Sequence, residues 1–426
     1  MKVTFVSYDN NTDIGGVSSW LQRLLPELRK RGIEVDINLL SPGGRPGVNC
    51  RAFEKLKIPY QLKHWTGDTQ SDVYSCMEMA VVSQPDVYIP NCIIPAYFAA
   101  SLLKKQGVAT VGVLHADEPL YHGIIEEFVH GDDRFRLSAV VAVSKFLETR
   151  CQNSSLPVQY IPCGVPMPGI QANFDENLFR LVYTGRLEEQ QKRIISVTNA
   201  FCSIVHSQLN TEAFIVGRGS MQKRVQQLIN RKNLQNRIQV LNRIEPGEVY
   251  GVLQKCHSFV LLSDYEGLPV SMLEAMAVGV VPICLSMRSG IADVIENGVN
   301  GFIIAKVEQL PDIIKALQKN QGRWTDLSNA AIRTVADNYS LEKTADRWEK
   351  LFKELALKHD TVTLTSGLIL PKSNPKFGYK DQRLPFSNLI RRFSNKFPTV
   401  AAYVFDIIGG QRRILKWILA LKYKPK

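Results

Sequence analysis

The 426-residue chain contains no run of about 18 uninterrupted apolar residues, and its start, MKVTFVSYDN, has one Lys and only a short apolar alternation. A conventional membrane span and a secretory leader are therefore both disfavoured. The eight cysteines are scattered, without a CxxC pair or the close spacing of a zinc site or disulfide scaffold; they read as thiols of a reducing, cytoplasmic compartment. No GxGxxG fingerprint is present, no internal repeat stands out, and no His/Cys/Asp cluster demands a metal, so a generic redox Rossmann enzyme and a zinc hydrolase lose their usual signals. Excess charge is missing from most of the chain as well. Of the formal +12, residues Thr361 to Lys426 hold +11, from 13 Lys/Arg against Asp381 and Asp406. The near-neutral remainder gives little support to a polyanion-binding body, and a nucleic-acid partner is disfavoured.

What is present is globular: 45% hydrophobic and 22% charged residues, in a length that asks for two domains. The opening reads as a strand, Val3 to Tyr8, then the turn-rich NNTDIGG, then a helix with apolar residues at Val17, Leu21, Leu24, Leu25 and Leu28. Further strand candidates are Ile33 to Leu40, Val87 to Ile89, Ala109 to Leu114 and Ala139 to Val143, spaced widely enough for crossover helices. After IPCGVPMPG the pattern restarts, with strands expected at Leu181 to Thr184, Ala213 to Val216, Ile238 to Leu241, Ser258 to Leu262 and Val280 to Cys284. The fold class is α/β: two Rossmann-like lobes with a cleft between them, and ligands expected at the carboxyl ends of the strands. The pattern divides the chain into a first lobe (1–170), a second lobe (171–338), an interdomain packing helix (339–357) capped by Ser340, and a basic extension (358–426).

Four segments carry the candidate chemistry. SDYEGLPVSMLEAMAVG places Glu266 in a loop and Glu274 on the next helix, so two carboxylates can serve one cleft, while the exposed first-turn N–H groups near Gly267 to Ser271, a stretch that includes Leu268 and Pro269, suit phosphate oxygens. GRLEEQQK follows a strand and can project Arg186 and Lys192, a fork and a point charge, toward a phosphate. DIGGVSSW offers Gly15 and Gly16, either as a close-approach loop for donor phosphate or as a plain turn before a helix. LHADEP sets His115 at a strand end near Asp117 and Glu118, although proximity in sequence establishes no dyad. Arg218, in IVGRG, is open between a phosphate contact and an ordinary surface loop.

With Glu266 and Glu274 separated by seven residues, and with GRLEEQQKRI, VAVSKFLETR, IPCGVP and VIENGVNGFI in order, residues 1 to 357 resemble retaining glycosyltransferases of family 4, in the GT-B superfamily. The resemblance implies that Glu274 holds the donor ribose, that Glu266 and His115 orient the transferred sugar, and that Arg186 and Lys192 neutralise the departing diphosphate. It implies a nucleotide-sugar donor bound by the lobe 171–338, with a UDP-sugar as the commonest case, a carbohydrate or lipid-linked acceptor on the side of the lobe 1–170, and no tightly bound cofactor or metal. Cys163 stands where that family more often has Asn, which bears on specificity more than on fold. A catalytically inactive carbohydrate-binding or interaction protein on the same fold is the alternative. In the extension, Phe386, Leu389, Ile390, Phe393 and Phe397 recur beside Arg391, Arg392 and Lys396, and QRRILKWILALKYK repeats the design. Residues 386–426 thus form an amphipathic basic segment suited either to an anionic membrane surface on the cytoplasmic face or to packing on the protein.

Overall fold

Runs of Val, Ile, Leu and Phe between helical segments build two sheets in the computed structural model, which describes residues 1–10, 15–242, 247–356 and 359–364. The first lobe contains β1 (Lys2–Tyr8), β2 (Glu34–Ser41), β3 (Tyr60–His64), β4 (Val87–Pro90), β5 (Ala109–Leu114), β6 (Ala139–Ala142) and β7 (Val158–Tyr160), in the order β3-β2-β1-β4-β5-β6-β7. The second contains β8 (Phe179–Thr184), β9 (Thr211–Val216), β10 (Ile238–Leu241), β11 (Ser258–Leu261), β12 (Val281–Leu285) and β13 (Phe302–Ile304), in the order β10-β9-β8-β11-β12-β13. All pairings are parallel, with Val3 opposite Val35 in one sheet and Leu181 opposite Ala213 in the other. Parallel strands flanked by crossover helices are buried on both faces, which is why the central strands read as continuous apolar runs and why Phe5, Ile37, Val111 and Val260 are fully buried. This is the two-lobed GT-B architecture expected above.

Three strands escaped the apolar pattern: β3 (YQLKH), β7 (VQY) and β13 (FII), each at a sheet edge and only partly buried. β3 and β7 are shielded on fewer sides and mix polar with apolar side chains, so their signal fades, whereas β13 is apolar but only three residues long, too short for a period to show.

The chain returns to the first lobe at its end. The helix Leu341–Leu355 is capped by the Ser340 hydroxyl, which accepts from Lys343 N–H, and it buries Thr344, Ala345, Trp348, Leu351 and Phe352. Trp348 packs edge-on against Phe5 and tilted against Trp20, with ring centroids 6.3 and 5.9 Å apart. Arg31, at the end of the first-lobe helix Gly16–Lys30, reaches Asp346 at 2.5 Å and Glu349 at 3.4 Å on the returning helix. Beyond it, residues 362 and 363 are held by two glutamines acting as surrogate strand edges. Gln84 accepts from Val362 N–H and donates to its carbonyl, and Gln106 does the same for Thr363. Asp13 and the amphipathic segment 386–426 lie outside the described residues. Among the described residues no helix is long and apolar enough to cross a membrane.

Candidate functional site

The carboxyl ends of β8, β9 and β11 assemble the second-lobe half of the site. After β8 the chain turns through Gly185 to Leu187, and after β9 it turns through Gly217 to Gly219; Leu187 N–H donates to the Arg218 carbonyl at 2.8 Å and Gly185 N–H to the Val216 carbonyl at 3.0 Å. The loops lie so close that a Cβ on Gly217 would sit 1.9 Å from the Gly185 carbonyl oxygen, and Gly217 has φ of 141°. Glycine is required there by contact as well as by conformation. Arg218 uses its carbonyl in this contact while its side chain is exposed, without a hydrogen bond or ion pair to the described residues.

Arg186 is exposed and donates to Gln191 Oε1 at 2.6 Å. Gln191 in turn donates to the Tyr265 carbonyl at 3.1 Å and accepts from Asp264 N–H at 2.9 Å, so it ties the Arg186 loop to the Glu266 loop. Lys192 Nζ lies 2.5 Å from Glu266 Oε1, with side-chain exposures of 14% and 9%. A pair this buried is held in one arrangement, yet the ammonium has three donors and spends one on Glu266. Glu274 sits on the helix Val270–Ala277, where Met272 and Leu273 N–H donate to the Pro269 carbonyl and the Val270 and Ser271 N–H groups have no backbone acceptor among the described residues. Its carboxylate accepts a close hydrogen bond from Arg23, a residue of the first lobe.

The first lobe contributes His115, just after β5. Its Nε2 is 3.1 Å from Asn91 Oδ1, and the Asn91 amide is oriented by donating from Nδ2 to the Ile89 carbonyl. Asn91 therefore accepts, Nε2 carries the proton, and Nδ1 is left as an acceptor. Burial pushes His115 down to about 3, so the imidazole is neutral at physiological pH. Trp20 and Tyr121 hold its ring edge-on, at 4.9 and 6.1 Å. Gly15 caps the helix Gly16–Lys30 with φ of −72°, and a Cβ on Gly16 would meet nothing within 4 Å, so neither glycine is imposed by strain or crowding among the described residues.

The lobes meet at this level. A Cβ on Gly267 would fall 1.8 Å from the His115 carbonyl oxygen, and Gly290 N–H donates to the Gly267 carbonyl at 2.6 Å. Lys145 N–H donates to Asp293 Oδ2 at 2.8 Å across the same boundary. Leu268 is buried at 6% exposure and Pro269 precedes the Glu274 helix as its cap. His115, Glu266, Lys192 and the 267–269 loop are thus brought into one neighbourhood, with Glu274 one helix turn along and the exposed Arg186 beside it; Arg218 is exposed on the loop bonded to that of Arg186.

Asp117 is no partner of His115. Its fully buried carboxylate collects His122 at 2.6 Å, Arg150 at 3.1 Å and, from the second lobe, Arg288 at 3.5 Å. Glu118 faces the cleft differently: burial raises its pKa while Arg186, from the other lobe, pulls it down. Sequence reasoning missed Asn91, Gln191, Arg23, Arg150 and Arg288. Only Asn91 had a readable signal, as a polar residue at the carboxyl end of a buried parallel strand. Among the described residues, no group of three or more His, Cys, Asp and Glu side chains gathers as a metal site.

Comparison with known proteins matches each lobe separately. The family described as Glycosyltransferase Family 4 matches residues 14–167, and the family described as Glycosyl transferases group 1 matches residues 170–334. The lipopolysaccharide 1,6-galactosyltransferase of Escherichia coli (strain K12) is 22% identical over 372 residues, covering 82% of this chain and 98% of that protein. A crystal structure of Anabaena Alr3699/HepE in complex with UDP and glucose, and a solved structure of the lipopolysaccharide outer core galactosyltransferase WaaB in its apo form, share the fold. Their TM-scores are 0.68 and 0.61 at 18% and 16% identity, each over 83% of this chain and 100% of theirs. Two parallel-sheet lobes, a site assembled where they touch, and a glycosyltransferase family match on each lobe make the chain a GT-B superfamily glycosyltransferase related to both families.

Proposed function

We propose that the chain transfers a sugar from a nucleoside diphosphate donor, a UDP-sugar as first choice, to a glycan or lipid-linked acceptor with retention of anomeric configuration. The observation that carries this reading is the buried Lys192–Glu266 pair, set beside a loop that presses Gly267 onto the backbone of His115 in the opposite lobe. Bond cleavage at the anomeric carbon sends the electron pair to the diphosphate, where the two unused donors of Lys192, Arg186 and the Val270 and Ser271 N–H groups at the start of the Glu274 helix meet the developing charge. The acceptor oxygen bonds to the anomeric carbon on the face the diphosphate leaves, and its proton passes to a departing phosphate oxygen. Neutral His115 presents Nδ1 as an acceptor for a sugar hydroxyl, which makes it a positioning group, and Glu266 orients the sugar from the other side. Relatives whose names concern lipopolysaccharide and a crystal form holding UDP support the donor and acceptor classes.

The test is a screen of nucleotide sugars against glycan and lipid-linked acceptors, with linkage and anomeric configuration read by NMR. Sugar-nucleotide binding without turnover would instead identify the non-enzymatic alternative, and an inverted product would overturn retention. Glu274→Gln keeps an oxygen for Arg23 but removes the charge that grips a ribose diol. We expect UDP affinity to fall about 10- to 100-fold, the range of charge-assisted hydrogen bonds, as measured by calorimetry; unchanged affinity would remove Glu274 from the donor site.

The basic extension is read as a membrane-surface contact. Because Gln84 and Gln106 hold residues 362 and 363 on the first lobe, the informative truncation begins after Leu364. Removing 365–426 is expected to reduce partition onto vesicles containing anionic lipid by at least tenfold, since each surface cation contributes about 1 kcal/mol. Equal partition of both forms would assign the extension to packing on the protein.

A further inference from the structure

Glu274 is surrounded by more polar machinery than its ion pair uses. Arg23 is 13% exposed and donates to the carboxylate through Nη2, while its Nη1 is buried with no partner among the described residues. Tyr250, on the short helix Val249–Leu253 of the second lobe, is buried too, and its Oη likewise has no partner there. Both groups lie near the same carboxylate: burial raises the Tyr250 phenol, with Glu274 pushing further the same way and Arg23 opposing. Burial opposes the Arg23 charge, yet Glu274, with help from Tyr250 and Cys163, leaves it above its usual value. A buried guanidinium nitrogen and a buried phenol each cost free energy while unpaired. Two such atoms at one carboxylate mark a place shaped for a polar ligand.

The ligand chemistry follows from the inventory. Arg23 Nη1 can only donate, Tyr250 Oη can donate or accept, and the ionised Glu274 can only accept. That set matches adjacent hydroxyls with a neighbouring acceptor oxygen, which is the ribose of a nucleotide. Arg23 also lies two turns into the helix that Gly15 caps, so a first-lobe residue reaches a second-lobe nucleotide site. We infer that Arg23 and Tyr250 are donor-nucleotide ligands, Arg23 donating from Nη1 to a ribose-end oxygen and Tyr250 pairing with a ribose hydroxyl, so that nucleotide binding draws on both lobes. The inference rests on the proposed assignment of Glu274 to the donor ribose.

The test uses the full-length chain with UDP, GDP and ADP as calorimetric probes, followed by donor kinetics with the nucleotide that binds. Tyr250→Phe removes only the orphaned hydroxyl. It should weaken nucleotide binding about fivefold, the size of one neutral hydrogen bond, while thermal stability without nucleotide stays equal or rises because a buried unpaired group has gone. Arg23→Met should weaken binding about 30- to 100-fold, and Arg23→Lys, which retains charge without the fork, should recover part of that loss. In both Arg23 variants the effect should fall on donor KM, with kcat at saturating donor within about threefold of wild type. A merely structural pair would lower stability and leave nucleotide affinity alone. Wild-type affinity in both Tyr250→Phe and Arg23→Lys, with the unaltered chain binding normally, would overturn this inference and leave the glycosyl-transfer reading standing. An unaltered chain that binds none of the three nucleotides would overturn both.

Discussion

Lys192→Met is expected to lower kcat about 10²- to 10³-fold, roughly 3–4 kcal/mol of transition-state stabilisation, the measured scale for loss of one preorganised group at a site of developing charge. Donor KM should change far less, because the demand for the cation grows as the diphosphate departs. The contact with Glu266 explains the severity. That pair is almost enclosed, at 14% and 9% exposure, so the substitution removes a cation and also strands a buried carboxylate, which then takes a proton or admits water. Lys192→Arg keeps the charge and separates the two effects: a planar fork fits the Glu266 pocket poorly, and recovery should be partial. Steady-state kinetics with the best donor found in the screen is the check. A kcat within threefold of wild type in Lys192→Met would remove this residue from leaving-group stabilisation.

Gly267→Ala should be nearly as damaging by a different route. The added Cβ would lie 1.8 Å from the His115 carbonyl oxygen, 2.6 Å from its carbonyl carbon and 3.2 Å from Ala116 N. These are backbone atoms at the end of β5 and cannot rotate away, so the lobes must separate at the reacting centre. A displacement of about 1 Å there costs on the order of 100-fold in rate, and we expect at least that loss in kcat. The clash lies between lobes and not within one, so the melting temperature should move little and UDP affinity should fall less than tenfold. Parallel losses of stability and activity would show instead that the glycine serves the second lobe's own folding.

The elements that were legible in the residues were those whose role is local. β1, β5 and β8 are apolar runs because both faces of a parallel strand are covered, and the caps of helices such as Ser340 follow from backbone groups within one turn. Glu266 and Glu274, and Arg186 and Lys192, could be singled out as candidates because each pair is carried on one short loop or loop-helix unit, with their roles implied by resemblance. The residues that escaped notice bind across distance. Arg23 finds Glu274 across 251 positions, and Asp117 gathers Arg288 from the other lobe. His115 was placed at the cleft, yet the nearby Asp117 turns elsewhere, to His122 and Arg150, and Asn91 supplies the hydrogen bond that selects the tautomer.

Composition and spacing alone determined two α/β lobes, a near-neutral body with its charge gathered in the last 66 residues, and the loops that carry the candidate chemistry. Hydrophobic periodicity and the reach of a single turn are properties of adjacent residues, so they can be read in one dimension. Only the tertiary structure decided which charges are paired, which buried polar atoms are left without partners, and where Gly267 meets His115. Those outcomes depend on how closely two separately folded sheets approach. That distance is set by packing along the whole interface and by no motif within it.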